Sequence, residues 1–318
     1  SVCRSLAADL EDFMRKWFGR VSLGLLSALL LVSVVVFSRF LLWRGGIEKR
    51  LAEASSVVDT PAGTVEYADV GRGSPVLLLL HGTPGGYDQV LGSIRATGFA
   101  NSGARFIAPS RPGYLRTPLA SGKSPEEQAR LYAALLTKLG VDRVFVFGAS
   151  GGGPSALQFA IQYPERCSGL ILEAAVTKSI AVERKQIPPT LQDLLIYLFR
   201  NRAISEMQAK DPTDPVISKL GEAVLASLVP ASRRAAGHAN DLQQFARMEG
   251  WPLSTIRCPT LIVHGRLDKD VPLAHSEFAR DRIANSKLVI LEGADHSMFY
   301  TRYKELDRVV RGFIAEHP

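Results

Sequence analysis

The chain has 318 residues, 46% of them hydrophobic, so it is long enough for one large domain with an insertion and too apolar to be disordered. Its formal net charge is +7, but residues 1–44 hold six Lys/Arg and three Asp/Glu, which leaves about +4 for the remainder, without a basic block. These features give no support for nucleic-acid binding, and three widely spaced cysteines predict neither a disulfide framework nor a metal site.

A long apolar stretch lies near the N-terminus. Val21–Leu42 carries one charge, Arg39, close to its end. A helix of this length crosses the roughly 30 Å hydrocarbon core of a bilayer. Trp17 and Trp43 bracket the stretch as interfacial anchors do. We therefore predict a single-pass membrane protein.

A cleaved signal peptide is the alternative, because Ala52-Glu53-Ala54 offers a cleavage site. The apolar run is longer than a signal peptide requires, and basic residues separate it from that site, so a retained anchor is favoured over a signal peptide or a buried helix. Four Lys/Arg precede the span and three closely follow it. The positive-inside rule therefore favours the extracytoplasmic side for the large domain.

Beyond this stretch, short apolar segments alternate with helical patterns. The predicted strands are Thr64–Val70, Val76–Leu80, Arg105–Ala108, Val144–Phe147, Gly169–Leu172, Thr260–Val263 and Lys287–Leu291. The predicted helices are Pro125–Leu139, Pro154–Tyr163 and Tyr300–Glu316. This alternation predicts an α/β fold with a mostly parallel sheet.

The strand rhythm stops between Lys178 and Ser254, where helical patterning predicts a cap over the strand ends. Apolar residues between Leu191 and Phe199 are interpreted as the core of this cap, with contact to a lipophilic substrate as the alternative. The predicted organisation is an N-terminal segment (1–20), a transmembrane helix (21–43), a linker (44–61), an α/β core (62–177 and 255–318) and a helical cap (178–254).

The most informative motif is Gly148-Ala149-Ser150-Gly151-Gly152, a G-x-S-x-G sequence between a buried strand and a helix. A serine at such a sharp turn is strained and exposes its hydroxyl, and flanking glycines avoid side-chain clashes. A plain glycine-rich turn is the alternative. The strand–turn–helix context favours Ser150 as a nucleophile.

A serine nucleophile needs a base that a carboxylate holds in place. His296 follows the last predicted strand, and Asp268 and Asp270 follow the strand before it. Ser150, an aspartate and His296 thus occur in the order nucleophile, acid, base, each after a buried strand. Loops after parallel strands meet at one sheet edge, so we expect these side chains to lie together.

From about Thr64 to its C-terminus the chain resembles the α/β-hydrolase family. Gly265-x-x-Asp268 followed by Val-Pro resembles the family's acid loop, which selects Asp268 and leaves Asp270 and Glu173 as alternatives. Arg111-Pro112-Gly113-Tyr114 resembles a turn of the proline-iminopeptidase and haloalkane-dehalogenase-like branch, with Ser110 where aspartate is usual. The resemblance implies an eight-stranded sheet.

The loop from His81 to Gly86 resembles the family's oxyanion loop, which implies that the backbone N–H groups of Thr83 and Gly151 bind the oxyanion. Because the nucleophile is serine, the resemblance argues against dehalogenase and epoxide-hydrolase chemistry. It implies a small-molecule substrate and neither a cofactor nor a metal, and it leaves the oligomeric state open.

The sequence therefore predicts a membrane-anchored serine hydrolase that cleaves a lipid-like or acyl ester. One alternative is a proline-iminopeptidase-like aminopeptidase, which needs acidic groups in the cap to hold a substrate ammonium. Its candidate acids are Glu183, Glu206, Asp211, Asp214 and Glu222. The other alternative is a hydrolase-fold binding protein without turnover.

Overall fold

The computed structural model describes residues 2–181 and 187–317, with side chains from residue 13 onward. The chain divides into two compact units, Ser1–Gly46 and Ile47–Pro318.

The first unit is helical. Helix α1 runs over Val2–Glu53, and its part from Phe13 is long and apolar enough to cross a membrane by length and composition, a test that a signal sequence also passes. The side chains of its most apolar stretch are exposed. The helix extends beyond the predicted span of residues 21–43 because Gly45 and Gly46 do not end it, and it continues into the part of the linker, residues 47–54, for which the sequence also allows a helix.

The second unit is built on an eight-stranded sheet, which confirms the predicted α/β architecture. Its strands are β1 (Ser56–Thr60), β2 (Gly63–Val70), β3 (Val76–Leu80), β4 (Arg105–Pro109), β5 (Val144–Ala149), β6 (Cys167–Glu173), β7 (Thr260–Gly265) and β8 (Ser286–Leu291). The strand order is β1-β2-β4-β3-β5-β6-β7-β8. The β1–β2 and β2–β4 pairs are antiparallel and all the other pairs are parallel. The sequence did not predict β1, which lies in the second half of the predicted linker.

The other helices of the described chain either pack on this sheet or lie in an insertion between two of its strands. They are α2 (Tyr87–Ala96), α3 (Pro125–Lys138), α4 (Gly153–Gln162), α5 (Pro189–Gln208), α6 (Pro215–Ala226), α7 (Ala235–Phe245), α8 (Ala274–Arg280), α9 (Met298–Thr301) and α10 (Tyr303–Glu316). One apolar cluster joins α3 and α4 to the sheet, and a second joins α2 and α10 to its other face. Ser124 begins α3 as a capping box with Glu127, as its sequence predicts.

Helices α5, α6 and α7 lie between β6 and β7, and we call this segment, residues 178–254, the helical insertion. On α5 the side chains of Asp193 and Tyr197 are buried. Four apolar side chains of the same helix are exposed: Leu191, Leu195, Leu198 and Phe199. The interpretation of these four residues as the core of the insertion is therefore wrong.

The parallel part of the sheet determines where the functional loops meet. Strands β3, β5, β6, β7 and β8 run in one direction, so the loops that follow them lie at the same sheet edge. Those loops carry Thr83, Ser150, Asp268 and His296.

Candidate active site

Ser150 lies in a tight turn between β5 and α4. Strand β5 is buried along its whole length, and a 3₁₀ turn over Ser150–Gly152 leads into α4. Ser150 has a φ angle of 48°, in the left-handed region that residues with a side chain seldom adopt. A Cβ added to Gly152 would overlap the carbonyl oxygen of Leu80, so the turn requires glycine there. This strained turn is the geometry that the G-x-S-x-G sequence predicts.

His296 lies between the hydroxyl of Ser150 and the carboxylate of Asp268. Its Nε2 atom is 3.0 Å from Ser150 Oγ, and its Nδ1 atom is 2.7 Å from Asp268 Oδ2. An ionised carboxylate only accepts hydrogen bonds, which assigns the proton of the neutral ring to Nδ1. Nε2 is then free to accept the hydroxyl proton of Ser150.

The structure brings Asp268, and not Asp270, to the imidazole. The second oxygen of Asp268, Oδ1, accepts the backbone N–H groups of Asp270 and Val271, each at 2.9 Å. Nε2 of His264 lies 3.4 Å from Asp268 Oδ2. The side chain of Asp270 is exposed. The buried carboxylate is thus fixed by its own loop while it contacts His296.

The electrostatic environment of this pair suits a general base. Burial works to raise the pKa of Asp268, but hydrogen bonds from His264 and His296 hold that pKa below its ordinary value. Burial works to lower the pKa of His296, but the hydrogen bond and charge of Asp268 raise it above its ordinary value. Asp268 therefore stabilises the protonated imidazole.

A second carboxyl, Glu173, is buried at the end of β6. Burial raises its pKa to about 7, and the charge of His296 opposes this shift. Its Oε1 atom has no hydrogen-bond partner among the described residues. Glu173 was an alternative acid in the sequence, but the carboxylate that hydrogen-bonds His296 is that of Asp268.

The loop after β3 packs against the turn of Ser150. A Cβ added to Gly82 would lie 3.2 Å from the Cβ of Ser150, and one added to Gly151 would overlap Thr83 Oγ1. Thr83 and Gly151, which the resemblance implies as amide donors, are therefore neighbours. The backbone N–H of Gly82 already donates to Gln89 Oε1 at 2.8 Å.

Sequence reasoning identified the turn of Arg111 and Tyr114 but missed its partner, Asp241 in α7. The guanidinium of Arg111 and the hydroxyl of Tyr114 donate to this buried carboxylate at 2.5 to 2.8 Å, and the hydroxyl of Thr83 also donates to it. A contact over 130 residues of sequence leaves no local pattern that could have revealed it. Ser110, also in this turn, is fully buried and hydrogen-bonds Glu66.

A cavity of about 280 Å³ lies between Pro84, which follows Thr83, and the helical insertion. Its other lining residues are Ile187, Pro189, Gln192, Leu228, Ala231, Arg234, Ala235, His238, Ala239 and Leu242. A mostly apolar wall with a few polar groups is typical of small-molecule sites.

Among the carboxylates that an aminopeptidase would need, Glu183 lies outside the described residues. The others make local or surface contacts: Glu206 with Arg202, Asp211 with Thr213, Asp214 with Tyr303 and Lys304, while Glu222 is exposed. In the ranges that the structure describes, no group of three or more His, Cys, Asp and Glu side chains is arranged to hold a metal ion.

Comparisons with known proteins identify the fold family of the chain. A family model described as the alpha/beta hydrolase fold matches residues 75–303. The uncharacterized hydrolase YcgS of Bacillus subtilis is 30% identical over 274 residues, which cover 79% of this chain and 95% of that protein.

Two further relatives span nearly the whole of their own chains. The 2-hydroxy-6-oxononadienedioate/2-hydroxy-6-oxononatrienedioate hydrolase 1 of Pseudomonas putida is 26% identical, covering 79% of this chain and 92% of its own. The solved structure of an alpha/beta hydrolase fold protein from Nakamurella multipartita is 33% identical with a TM-score of 0.72, covering 82% of this chain and 98% of its own.

Proposed function

The chain belongs to the α/β-hydrolase fold family, and from that premise we propose that it is a membrane-anchored serine hydrolase that cleaves a carboxylic ester. The observation that carries the proposal is the hydrogen-bonded chain in which His296 contacts Ser150 through Nε2 and Asp268 through Nδ1. This arrangement supplies a nucleophile, a base and the group that orients the base. Hydrolysis is common to the names of the relatives, and the ester substrate is our inference.

In the proposed reaction, Ser150 Oγ attacks the carbonyl carbon while His296 Nε2 takes its proton and Asp268 stabilises the resulting imidazolium. The carbonyl oxygen becomes an oxyanion, to which the N–H groups of Thr83 and Gly151 donate. Each such donor stabilises the transition state by about 3 to 4 kcal/mol. His296 then protonates the leaving alcohol, which leaves an acyl-enzyme, and a water that His296 deprotonates releases the acid.

Two observations support a lipophilic acyl group. Eight of the eleven residues that line the cavity beside Pro84 are apolar, and the cavity lies next to the loop of Thr83. The exposed apolar side chains of α5, among them Leu198 and Phe199, give the helical insertion a surface that tolerates lipid-like molecules. On this proposal the insertion is a cap, and the acyl chain lies between it and the core.

Hydrolysis of a 2-hydroxy-6-oxo diacid is a second candidate, because the Pseudomonas putida relative is named for such a reaction and the match spans 92% of that protein.

The aminopeptidase hypothesis has less support. Asp241 is a buried carboxylate of the insertion close to Thr83, but its oxygens already accept hydrogen bonds from Arg111, Tyr114 and Thr83.

We propose that α1 is retained as a single membrane anchor with the catalytic domain on the extracytoplasmic side. The exposed, apolar part of this helix supports the anchor, and the distribution of basic residues supports the orientation. Fractionation and N-terminal sequencing test the anchor. A soluble protein shortened at Ala54 would overturn it, and protease protection of the large domain in intact cells would overturn the orientation.

The enzyme proposal is tested with a fluorophosphonate probe and a substrate panel. We expect the probe to label the wild type and a Ser102→Ala control, which alters an exposed serine, but not Ser150→Ala. The panel compares p-nitrophenyl esters, proline p-nitroanilide and a 2-hydroxy-6-oxo diacid. If the esters give the fastest turnover that depends on Ser150, the proposal is supported. If the protein prefers the p-nitroanilide or the diacid, the corresponding activity takes the place of ester hydrolysis. Absence of both labelling and turnover favours a binding protein.

A further inference from the structure

Asp241, in the middle of α7, forms the most densely hydrogen-bonded carboxylate near the candidate site. Its Oδ1 accepts Arg111 Nη1 at 2.8 Å, and its Oδ2 accepts Arg111 Nη2 and the Tyr114 hydroxyl, each at 2.5 Å. Oδ2 also accepts the hydroxyl of Thr83. The side chains of Arg111 and Asp241 are 1% and 4% exposed, so removal of either leaves the other charge buried without its counter-ion.

This ion pair fixes the loop after β3 at several atoms. Nη2 of Arg111 donates to Thr83 Oγ1 at 3.0 Å, and Nε of Arg111 donates to the carbonyl oxygen of His81 at 2.9 Å. The backbone N–H of Arg111 donates to His81 Nε2. Burial lowers the pKa of His81 well below its ordinary value, so its ring is neutral and accepts this bond while Nδ1 donates to the Gly82 carbonyl oxygen.

Thr83 is therefore held through its side chain from two directions, by Arg111 in the core and by Asp241 in the helical insertion. Its Oγ1 atom is so close to Gly151 that a Cβ there would overlap it, which places it directly beside the turn of Ser150. An amide donor stabilises an oxyanion only when it is aimed at the position where the charge develops. The side chain of Thr83 is thus hydrogen-bonded to a carboxylate that belongs to another part of the fold.

We propose that Asp241 is a positioning residue, which orients the backbone N–H of Thr83 toward the oxyanion through the Thr83 hydroxyl and the Arg111 guanidinium. This inference rests on the proposed function, because it assigns a role only if an oxyanion forms beside Ser150. It makes oxyanion stabilisation depend on the docking of α7, so the helical insertion takes part in catalysis and does not only bind substrate.

A purely structural role for Asp241 makes a different prediction, and Glu66 provides the control. Glu66 is 1% exposed and accepts hydrogen bonds from Arg116 Nε at 2.7 Å and from the Ser110 hydroxyl at 3.0 Å. Asp241→Asn and Glu66→Gln therefore both turn a buried, arginine-paired carboxylate into an amide. Only the first of these carboxylates hydrogen-bonds Thr83.

The experiment measures kcat, KM and thermal unfolding of the full chain on the best ester. We expect Asp241→Asn to lower kcat about 10- to 100-fold with KM within about threefold, since one misaimed donor loses part of its effect. Glu66→Gln should keep kcat within about twofold although it also lowers the unfolding temperature. Equal effects of both variants on kcat, or an unchanged kcat in Asp241→Asn, would overturn the proposal.

Thr83→Val tests the same link if Asp241→Asn does not fold. Valine keeps the backbone N–H and the branched shape but removes the hydroxyl, whereas Thr83→Ser keeps the hydroxyl. We expect kcat of the valine variant to be at least about tenfold lower than kcat of the serine variant. Equal activity of the two variants contradicts the proposal. A wild type that neither turns over esters nor reacts with the fluorophosphonate probe overturns the proposed function and, with it, this inference.

Discussion

Nδ1 of His296 lies 2.7 Å from Oδ2 of Asp268, while Asp270, two residues along the same loop, has an exposed side chain. Asp268→Asn should therefore lower kcat about 1,000-fold or more, because an amide no longer holds the imidazole in the tautomer that can take the proton of Ser150. Asp270→Asn should keep kcat within about threefold. Assays of purified variants on the best ester test this difference, and a larger loss in Asp270→Asn would reassign the acid.

The raised pKa of His296 predicts how activity depends on pH. The imidazole acts as a base only when it is neutral, so kcat/KM should fall as pH decreases through the pKa of His296. Asp268 raises that pKa, so the midpoint should lie above 6.5, the ordinary value for histidine. The residual activity of Asp268→Asn should have its midpoint at lower pH. A pH–rate profile of the wild type with no midpoint above pH 6.5 would contradict the assignment of His296 as the base.

Glu173 should make the stability of the protein fall as pH rises. Burial raises the pKa of its carboxyl from 4.5 to about 7 in the folded state. Its stabilising contribution is therefore complete below pH 4.5 and is lost as pH rises through about 7, by up to about 3 kcal/mol. Glu173→Gln stays neutral at every pH, so its stability relative to the wild type should be greater at pH 8 than at pH 5.

Urea unfolding at the two pH values measures this difference. Glu165→Gln, which removes an exposed carboxylate, serves as the control and should change the free energy of unfolding by less than about 0.5 kcal/mol at either pH. A Glu173→Gln variant that behaves like this control would show that the carboxyl ionises as easily in the folded state as in the unfolded chain.

The parts of the site that lie directly after strands could be predicted from the sequence. Ser150 and His296 follow short apolar runs, and parallel strands bring such loops to one edge whatever their distance along the chain. Asp241 could not be predicted in this way. It is one polar residue on a helix of the insertion, and its role depends on how that helix docks onto the turn of Arg111.

Which side chains of α5 are buried could not be predicted from the sequence either, for a similar reason. Leu198 and Tyr197 are adjacent and both suit a core, yet Leu198 is 50% exposed and Tyr197 is 9% exposed. The composition indicates an apolar helix, but it does not indicate which face of that helix packs against the rest of the protein. Strand β1 was not predicted because it is short and lies at the edge of the sheet. Its five residues include Asp59, so their composition does not distinguish the strand from a loop.

The turn of Ser150 should not tolerate a methyl group at Gly152. A Cβ there would overlap the carbonyl oxygen of Leu80, which is backbone and cannot rotate away. Gly152→Ala should therefore lower the free energy of unfolding by about 2 kcal/mol or more and abolish activity. Gly312→Ala makes the same change on the exposed side of α10, where nothing lies within 4 Å of the added atom.

In that helix alanine is favoured over glycine, so Gly312→Ala should raise the free energy of unfolding by up to about 1 kcal/mol. Thermal unfolding of both variants measures the contrast. Similar stability changes in the two variants would mean that the end of β3 moves aside more easily than its contact with the turn of Ser150 implies.

The thiols of Cys167, at the start of β6, and Cys258, just before β7, are buried with their sulfur atoms 3.3 Å apart. The two sulfur atoms are close enough to be joined by a bond with little movement of the strands. Diamide should therefore convert the pair to a disulfide, with both thiol hydrogens transferred to the azo group. The new bond would close a loop that contains the helical insertion, and the chain-entropy effect should stabilise the fold by up to about 4 kcal/mol.

Peptide mapping of the diamide-treated protein should find the two cysteine peptides linked, with the mass of two hydrogens lost. The treated protein should also unfold at a higher temperature, and Cys258→Ser should show neither change. Two thiols that alkylate independently after diamide treatment and denaturation would show that burial keeps the oxidant out.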